Sequence, residues 1–175
     1  MHPEIQKFIK EGTGHIMELE IPSSQNILYE LQKTRNIFRI LLNAFTLKVS
    51  GCLPLRAKNI FIRRCFGMKI GRNVGIAPGV FFDVLYPELI TIQDNAIIGY
   101  KVNVLCHEAI QHKLRIGRVV IKDNAVIGAF STIRSGVTVG KNSIVAMNSF
   151  VNKDIPDNEL WGGVPARKIK NLIPE

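Results

Sequence analysis

The chain has 175 residues, enough for one folded unit that buries a core, with or without an extension. Apolar residues make up 46% of it and aromatic residues 7%, which excludes a disordered chain and reads as a soluble, folded protein. Net charge is +9, and from Leu31 to Phe82 ten Lys or Arg residues occur without one Asp or Glu; that suits an anionic small molecule or an anionic membrane, while the absence of any nucleic-acid-binding motif removes nucleic acid from the expected partners.

In chain order, residues 3–11 (PEIQKFIKE) predict a short helix after Pro3, with Ile5, Phe8 and Ile9 on one face and Gly12 and Gly14 ending it. Residues 16–22 carry no clear pattern. Ser23, Ser24, Gln25 and Asn26 offer caps for a single second helix over 25–49, stopped by Ser50, Gly51 and Pro54. That helix is apolar almost all round, so it must be covered. Capping an open coil or packing on a neighbouring subunit is preferred; contact of residues 25–66 with a membrane surface is the remaining alternative. Residues 55–67 lead onward as irregular chain or a first strand.

From residue 68 a period of six begins. Ile70, Ile76 and Phe82 are in phase; Ile92, Ile98 and Val104 resume it after a slip; Ile121, Ile127, Ile133, Val139, Val145 and Val151 resume it after a second. Small or aliphatic residues recur at the fifth position: Ala125, Ser131, Val137, Ser143 and Ser149. A six-residue period is neither helix nor plain strand but a solenoid of short sides and corners. The repeated aliphatic points inward, and Gly128 and Gly140 relax the backbone after it. Slips must leave the coil as loops. The second, 107–118, carries His107, Glu108 and His112, so chemistry is expected there.

The repeat, followed by Lys153-Asp154-Ile155-Pro156 and Gly163-Val164-Pro165-Ala166-Arg167, resembles the hexapeptide-repeat acyltransferases, in particular the maltose and galactoside O-acetyltransferase branch. The resemblance covers about residues 68–170. It implies a mainly β fold: a left-handed parallel β-helix over 68–160 with a loop at 107–118, after an N-terminal helical extension, 1–67, and before a C-terminal tail, 161–175, with a short helix. It implies transfer of an acetyl group from acetyl-CoA to a hydroxyl or amine of a small acceptor such as a sugar or cell-envelope glycan precursor. It also implies a homotrimer with active sites between subunits.

His107, which follows the strand Val102–Cys106, is the expected general base, because imidazole titrates near neutral pH. Glu108 either orients it or is exposed, the second being preferred. Cys106 is expected as a filler rather than a nucleophile. The resemblance implies an oxyanion donor from the backbone of a neighbouring coil corner, here Gly128-Ala129. By resemblance the coenzyme groove falls along Ala129, Met147, Asn152 and Lys153, with Arg167 and Lys170 on the phosphates and Lys168 as an addition. Trp161 either stacks on adenine or packs over the last coil. Four departures from the branch stand out: Ala146-Met147-Asn148-Ser149 in place of Gly-Ala-Gly-Ser, Val126 in place of tryptophan, no asparagine near Ala77-Pro78 where the galactoside enzymes use one to hold the acceptor sugar, and no clear counterpart of the branch's two-strand hairpin.

No metal is expected. The γ-class carbonic anhydrases share the fold and hold zinc with three histidines; His107 and His112 show the five-residue spacing, but positions 70–76 lack the third. A non-catalytic scaffold is the other alternative. The three cysteines are odd in number and Met1 is followed by polar residues, so a reducing, cytoplasmic setting is expected.

Overall fold

The structure is a computed structural model that describes residues 3–12, 14–21 and 26–172. The period of six becomes three flat faces. The first face stacks Lys69–Ile70, Ile90–Ile92, Val119–Ile121 and Thr138–Val139; the third stacks Phe81–Phe82, Asn103–Val104, Thr132–Ile133 and Phe150–Val151. Between them the second stacks Gly75–Ile76, Ile97–Ile98, Val126–Ile127, Ile144–Val145 and Glu159–Gly162, all parallel. This is a left-handed parallel β-helix.

The repeated aliphatics form its inward columns. Ile70, Ile92, Ile121 and Val139 are in register on the first face, Ile76, Ile98, Ile127 and Val145 on the second, and Phe82, Val104, Ile133 and Val151 on the third. All are buried. The small fifth-position residues are buried at corners, where Ser131 Oγ and Ser149 Oγ donate to the Ala146 carbonyl and Ser143 Oγ to that of Pro156.

Corners need a left-handed residue, and asparagine tolerates that conformation best among side-chain-bearing residues. Asn73, Asn95, Asn124, Asn142 and Asn158 all have φ between 54° and 59°. Their amides link along the corner, Asn124 Nδ2 to Asn142 Oδ1 at 2.9 Å and Asn142 Nδ2 to Asn158 Oδ1 at 2.8 Å. Gly128 has a different cause from the relaxed backbone expected of it. A Cβ there would stand 2.6 Å from both Met147 N and Val145 O, so the next coil leaves no room for one.

Among the described residues before the first coil there are four helices and one strand, Ile16–Glu20. Helix α1 (Pro3–Glu11) buries Ile5 and Phe8, as expected. The expected single helix is two, α2 (Ile27–Thr34) and α3 (Ile37–Ser50), because Asn36 starts a new helix by accepting the Phe38 N–H at 2.9 Å. Arg35, between them, is extended and buried, paired to Glu88 at 2.6 Å. Of the caps offered for α2, Asn26 serves, accepting the Leu28 N–H; residues 23–25 lie outside the described residues. The irregular stretch expected after Pro54 is helix α4 (Leu55–Phe66).

Capping of the open coil falls to α4. It buries Ile62 and Phe66, and its polar side chains take the free edge carbonyls of the first coil. Lys58 Nζ donates to Ile76 O, Asn59 Nδ2 to Val74 O and Arg63 Nη2 to Ile70 O at 3.2, 2.8 and 2.6 Å. An open sheet edge is thereby covered.

The second excursion and the C-terminal tail each differ from expectation. The 107–118 loop is a β-hairpin, His107–Ile110 with Lys113–Gly117, and Ile16–Glu20 pairs with its second strand to make a three-stranded antiparallel sheet. The C-terminal tail is a strand, Arg167–Asn171, antiparallel to Glu159–Gly162, not a helix. The last coil would otherwise end in an unpaired edge, and covering it outweighs the local preference of the segment.

Candidate active site

Both phase slips leave the coil at the same corner, after Phe82 and after Val104, which are stacked on the third face. Asp83 begins the first excursion and Cys106-His107 begins the second, one coil below. The Asp83 side chain is fully buried. Its Oδ1 accepts the Leu85 and Tyr86 N–H groups at 2.8 and 3.0 Å; its Oδ2 accepts those of Cys106 and His107 at 2.8 and 3.1 Å and faces His107 Nδ1 at 2.6 Å. Burial pushes this carboxyl up, but the His107 hydrogen bond and charge, with the N–H groups of Tyr86 and Cys106, outweigh it and hold the group below the ordinary carboxylate value.

An ionised carboxylate has no proton to give, so His107 Nδ1 is the donor and Nε2 carries the lone pair. The imidazole is 23% exposed, and its Nε2 has no hydrogen-bond partner among the described residues. This is the arrangement a general base needs: a fixed tautomer, a fixed ring and an open acceptor at the solvent edge. The Tyr86 ring packs edge-on against the imidazole, centroids 6.1 Å apart, and its hydroxyl donates to Thr34 Oγ1 at 2.7 Å. Burial pushes the Tyr86 hydroxyl up to about 12, so it stays protonated as a donor.

Glu108 is neither exposed nor on the imidazole. It accepts from Arg134 Nε at 2.8 and 2.9 Å and from Ser135 Oγ at 2.5 Å. Burial raises its carboxyl, but the Arg134 and Ser135 hydrogen bonds and the Arg134 charge bring it below the usual range. Cys106 is fully buried and its thiol is pushed well up by burial, which makes it a filler. His112 is exposed at the tip of the hairpin while His107 is at its base, roughly 15 Å of extended chain away at about 3.3 Å per residue. The pair does not converge. Among the described residues no three or more His, Cys, Asp or Glu are grouped to hold a metal.

Asn152 and Lys153 sit on the same corner as His107, two coils on, since Arg134 N donates to Val151 O and Leu105 N to Ile133 O. Asn152 Oδ1 is buried without a partner among the described residues. Ala129 and Met147 stack on the other edge of the third face, where Asn148 N donates to Ala129 O. Gly128 N–H is used by Val145 O, whereas Ala129 N–H meets no acceptor among the described residues. One chain therefore holds the base and the Ala129–Met147 edge at opposite sides of a face, roughly 15 Å apart by the same extended-chain rise. Arg167 and Lys170 are exposed on the terminal strand.

Residues 118–153 match the family model described as "Bacterial transferase hexapeptide (six repeats)". The "Putative acetyltransferase YvoF" of Bacillus subtilis (strain 168) is 35% identical over 148 residues, spanning 84% of this chain and 86% of that protein. The chain belongs to the hexapeptide-repeat acetyltransferase family. Two solved structures share the fold. The Vibrio cholerae acetyltransferase VCA0836, complexed with acetyl-coenzyme A, superposes with a TM-score of 0.67 at 23% identity, over 97% of this chain and 98% of that one. Galactoside acetyltransferase in complex with coenzyme A gives 0.67 at 22% identity, over 99% and 92%.

Within this acetyltransferase chain two open points of the sequence are settled. Trp161 packs on the core in register with Val145 and donates its indole N–H to Glu159 Oε2 at 2.7 Å. It closes the second column. Lys168 Nζ is held by Glu159 Oε1 at 2.5 Å, which removes it from the free cations of the tail. Asp83 and Tyr86 were missed. The available signal was positional: an acid opens one slip directly after its aromatic anchor, and a histidine opens the next.

Proposed function

We propose that this acetyltransferase moves an acetyl group from acetyl-CoA to a hydroxyl, or an amine, of a small sugar-like acceptor, with His107 as general base and Asp83 as its positioning partner. The carrying observation is the Asp83–His107 pair, with a carboxylate on Nδ1 and a free Nε2. The acceptor O–H gives its proton to Nε2 as its oxygen attacks the thioester carbonyl. The tetrahedral adduct places negative charge on the former carbonyl oxygen, for which the Ala129 N–H is the available donor. Collapse breaks the C–S bond, and the departing sulfur takes the proton back from the imidazolium, leaving acetylated acceptor and coenzyme A.

The acyl donor would run along Ala129, Met147, Asn152 and Lys153, with Arg167 and Lys170 on its phosphates. Asn152 Oδ1, lacking a partner, suits an amide N–H of the pantetheine arm. Because the base and the Ala129–Met147 edge lie at opposite sides of one face, a neighbouring chain must complete the site, and a homotrimer with three intersubunit sites does so. The unbonded cysteines agree with a cytoplasmic reaction.

The test is acetyl-CoA binding by calorimetry, followed by coenzyme release with a panel of hydroxylated acceptors, for the parent and His107→Ala. Retained binding with turnover lowered about a hundred- to ten-thousandfold supports the reading. No binding by the parent supports a non-catalytic scaffold instead.

A further inference from the structure

Helix α3 is built inside out. Its polar positions Asn43, Thr46 and Ser50 face the protein and are buried. Asn43 Nδ2 donates to Val84 O at 2.7 Å, and Arg39 Nη2 reaches Phe66 O at 3.2 Å. Its large apolar side chains point the other way: Phe38 is 78% exposed, Phe45 62%, Leu41 59% and Leu42 44%. On α2, Leu28 and Tyr29 are also exposed, at 61% and 70%. An amphipathic helix in water normally turns this stripe to the core, and a contiguous exposed patch of this kind marks a docking surface.

The charges around the patch say what covers it. Lys48 is exposed one turn beyond Leu41 and Phe45 on the same face, and Arg56 and Arg64 are exposed on α4, which packs on α3. From Leu31 to Phe82 the sequence holds no Asp or Glu, and Glu30 on α2 is paired with Lys33 at 2.7 Å. Bulky apolar side chains bordered by cations match the boundary between acyl chains and anionic headgroups. A second copy presenting the same patch across a two-fold axis would set cation against cation. No helix among the described residues is long and apolar enough to cross a membrane, so α3 would lie on the surface rather than span it.

We propose that the outer face of α2 and α3 docks this protein on an anionic phospholipid bilayer. The Asn43 bond to Val84 O ties α3 to the excursion that begins with Asp83, so the bilayer would lie about one helix diameter, ~10 Å, from that loop. The inference stands on the patch alone and does not require the reaction proposed above.

The test is sedimentation of the full-length protein with vesicles of phosphatidylglycerol and phosphatidylcholine in equal amounts, against phosphatidylcholine alone. Partition to the anionic vesicles is expected to exceed that to neutral ones at least tenfold and to weaken with salt. Phe38→Ser with Phe45→Ser should lower it more than tenfold, and Lys48→Glu with Arg56→Glu, which leaves the apolar face intact, should abolish the anionic preference. Failure of the parent to sediment overturns the proposal, as does unchanged partition of either variant. A fall in solution mass of the Phe38→Ser, Phe45→Ser protein by light scattering also overturns it, because a second copy then covers the face.

Discussion

Asp83 Oδ2 lies 2.6 Å from His107 Nδ1, and the two residues reach each other only because one coil stacks on the next. With Nδ1 committed to a carboxylate, the proton-accepting lone pair is fixed on Nε2. Asp83→Asn keeps the shape and, through its one remaining oxygen, some of the bonds accepted from backbone N–H groups, but removes the charge and the tautomer preference. It is expected to lower kcat roughly a hundred- to ten-thousandfold while the KM for acetyl-CoA moves less than threefold, on the scale of general-base loss. Steady-state kinetics check this. A purely structural role would instead lower kcat and raise KM together and broaden the melting transition.

The Glu108, Arg134 and Ser135 cluster ties the hairpin to the coil beneath it. Although burial raises it, the Arg134 and Ser135 hydrogen bonds and the Arg134 charge hold the Glu108 carboxyl below its ordinary value in the folded chain. A depressed carboxyl contributes stability that is complete above its unfolded value and is lost as pH falls through its folded value. Glu108→Gln should therefore cost roughly 1–3 kcal/mol at pH 6, and the gap between parent and variant should shrink below about pH 4.5. Urea denaturation across that range decides it; a gap that widens on acidification would be the wrong sign.

The columns of aliphatic residues were legible in the sequence because the coil converts a linear period directly into a stack: Ile121 and Val139 fall in register on one face, and Ile127 and Val145 on the next. The hairpin was not. Leu114 and Ile116 alternate, but over too short a run to identify a strand until Ile16–Glu20, far away in the chain, pairs with it. Helix α4, expected as irregular chain or a first strand, was not legible either, because Lys58, Asn59 and Arg63 find their partners in carbonyls of the first coil that only the folded chain brings near. The position of His107 at the start of an excursion was legible from the strand before it. Its bond to Asp83 was not, because that carboxylate comes from the neighbouring coil.

Gly128 tests the packing of coil on coil. Its Cβ would contact main-chain atoms of Val145 and Met147, which cannot rotate away. Gly128→Ala is expected to cost about 1–3 kcal/mol by overpacking. It should also raise the KM for acetyl-CoA, since the displaced segment is the Ala129–Met147 edge. Thermal melting and donor kinetics report the two effects separately; an unchanged melting temperature would contradict the spacing of the coils.

The C-terminal cations separate binding from structure. Arg167 and Lys170 are exposed on the last strand without a carboxylate partner among the described residues, while Lys168 is paired with Glu159. If the tail holds the anionic end of the donor, Arg167→Ala and Lys170→Ala should each raise the KM for acetyl-CoA several-fold at low salt, and less at high salt as screening grows. Neither should alter kinetics with an acetyl-pantetheine donor, which lacks the adenosine phosphates. Lys168→Ala should behave oppositely, losing at most about 1 kcal/mol of stability with its exposed ion pair and leaving the KM alone. Equal sensitivity of the short and the full donor to Arg167→Ala would show that the tail acts on the coil and not on the coenzyme.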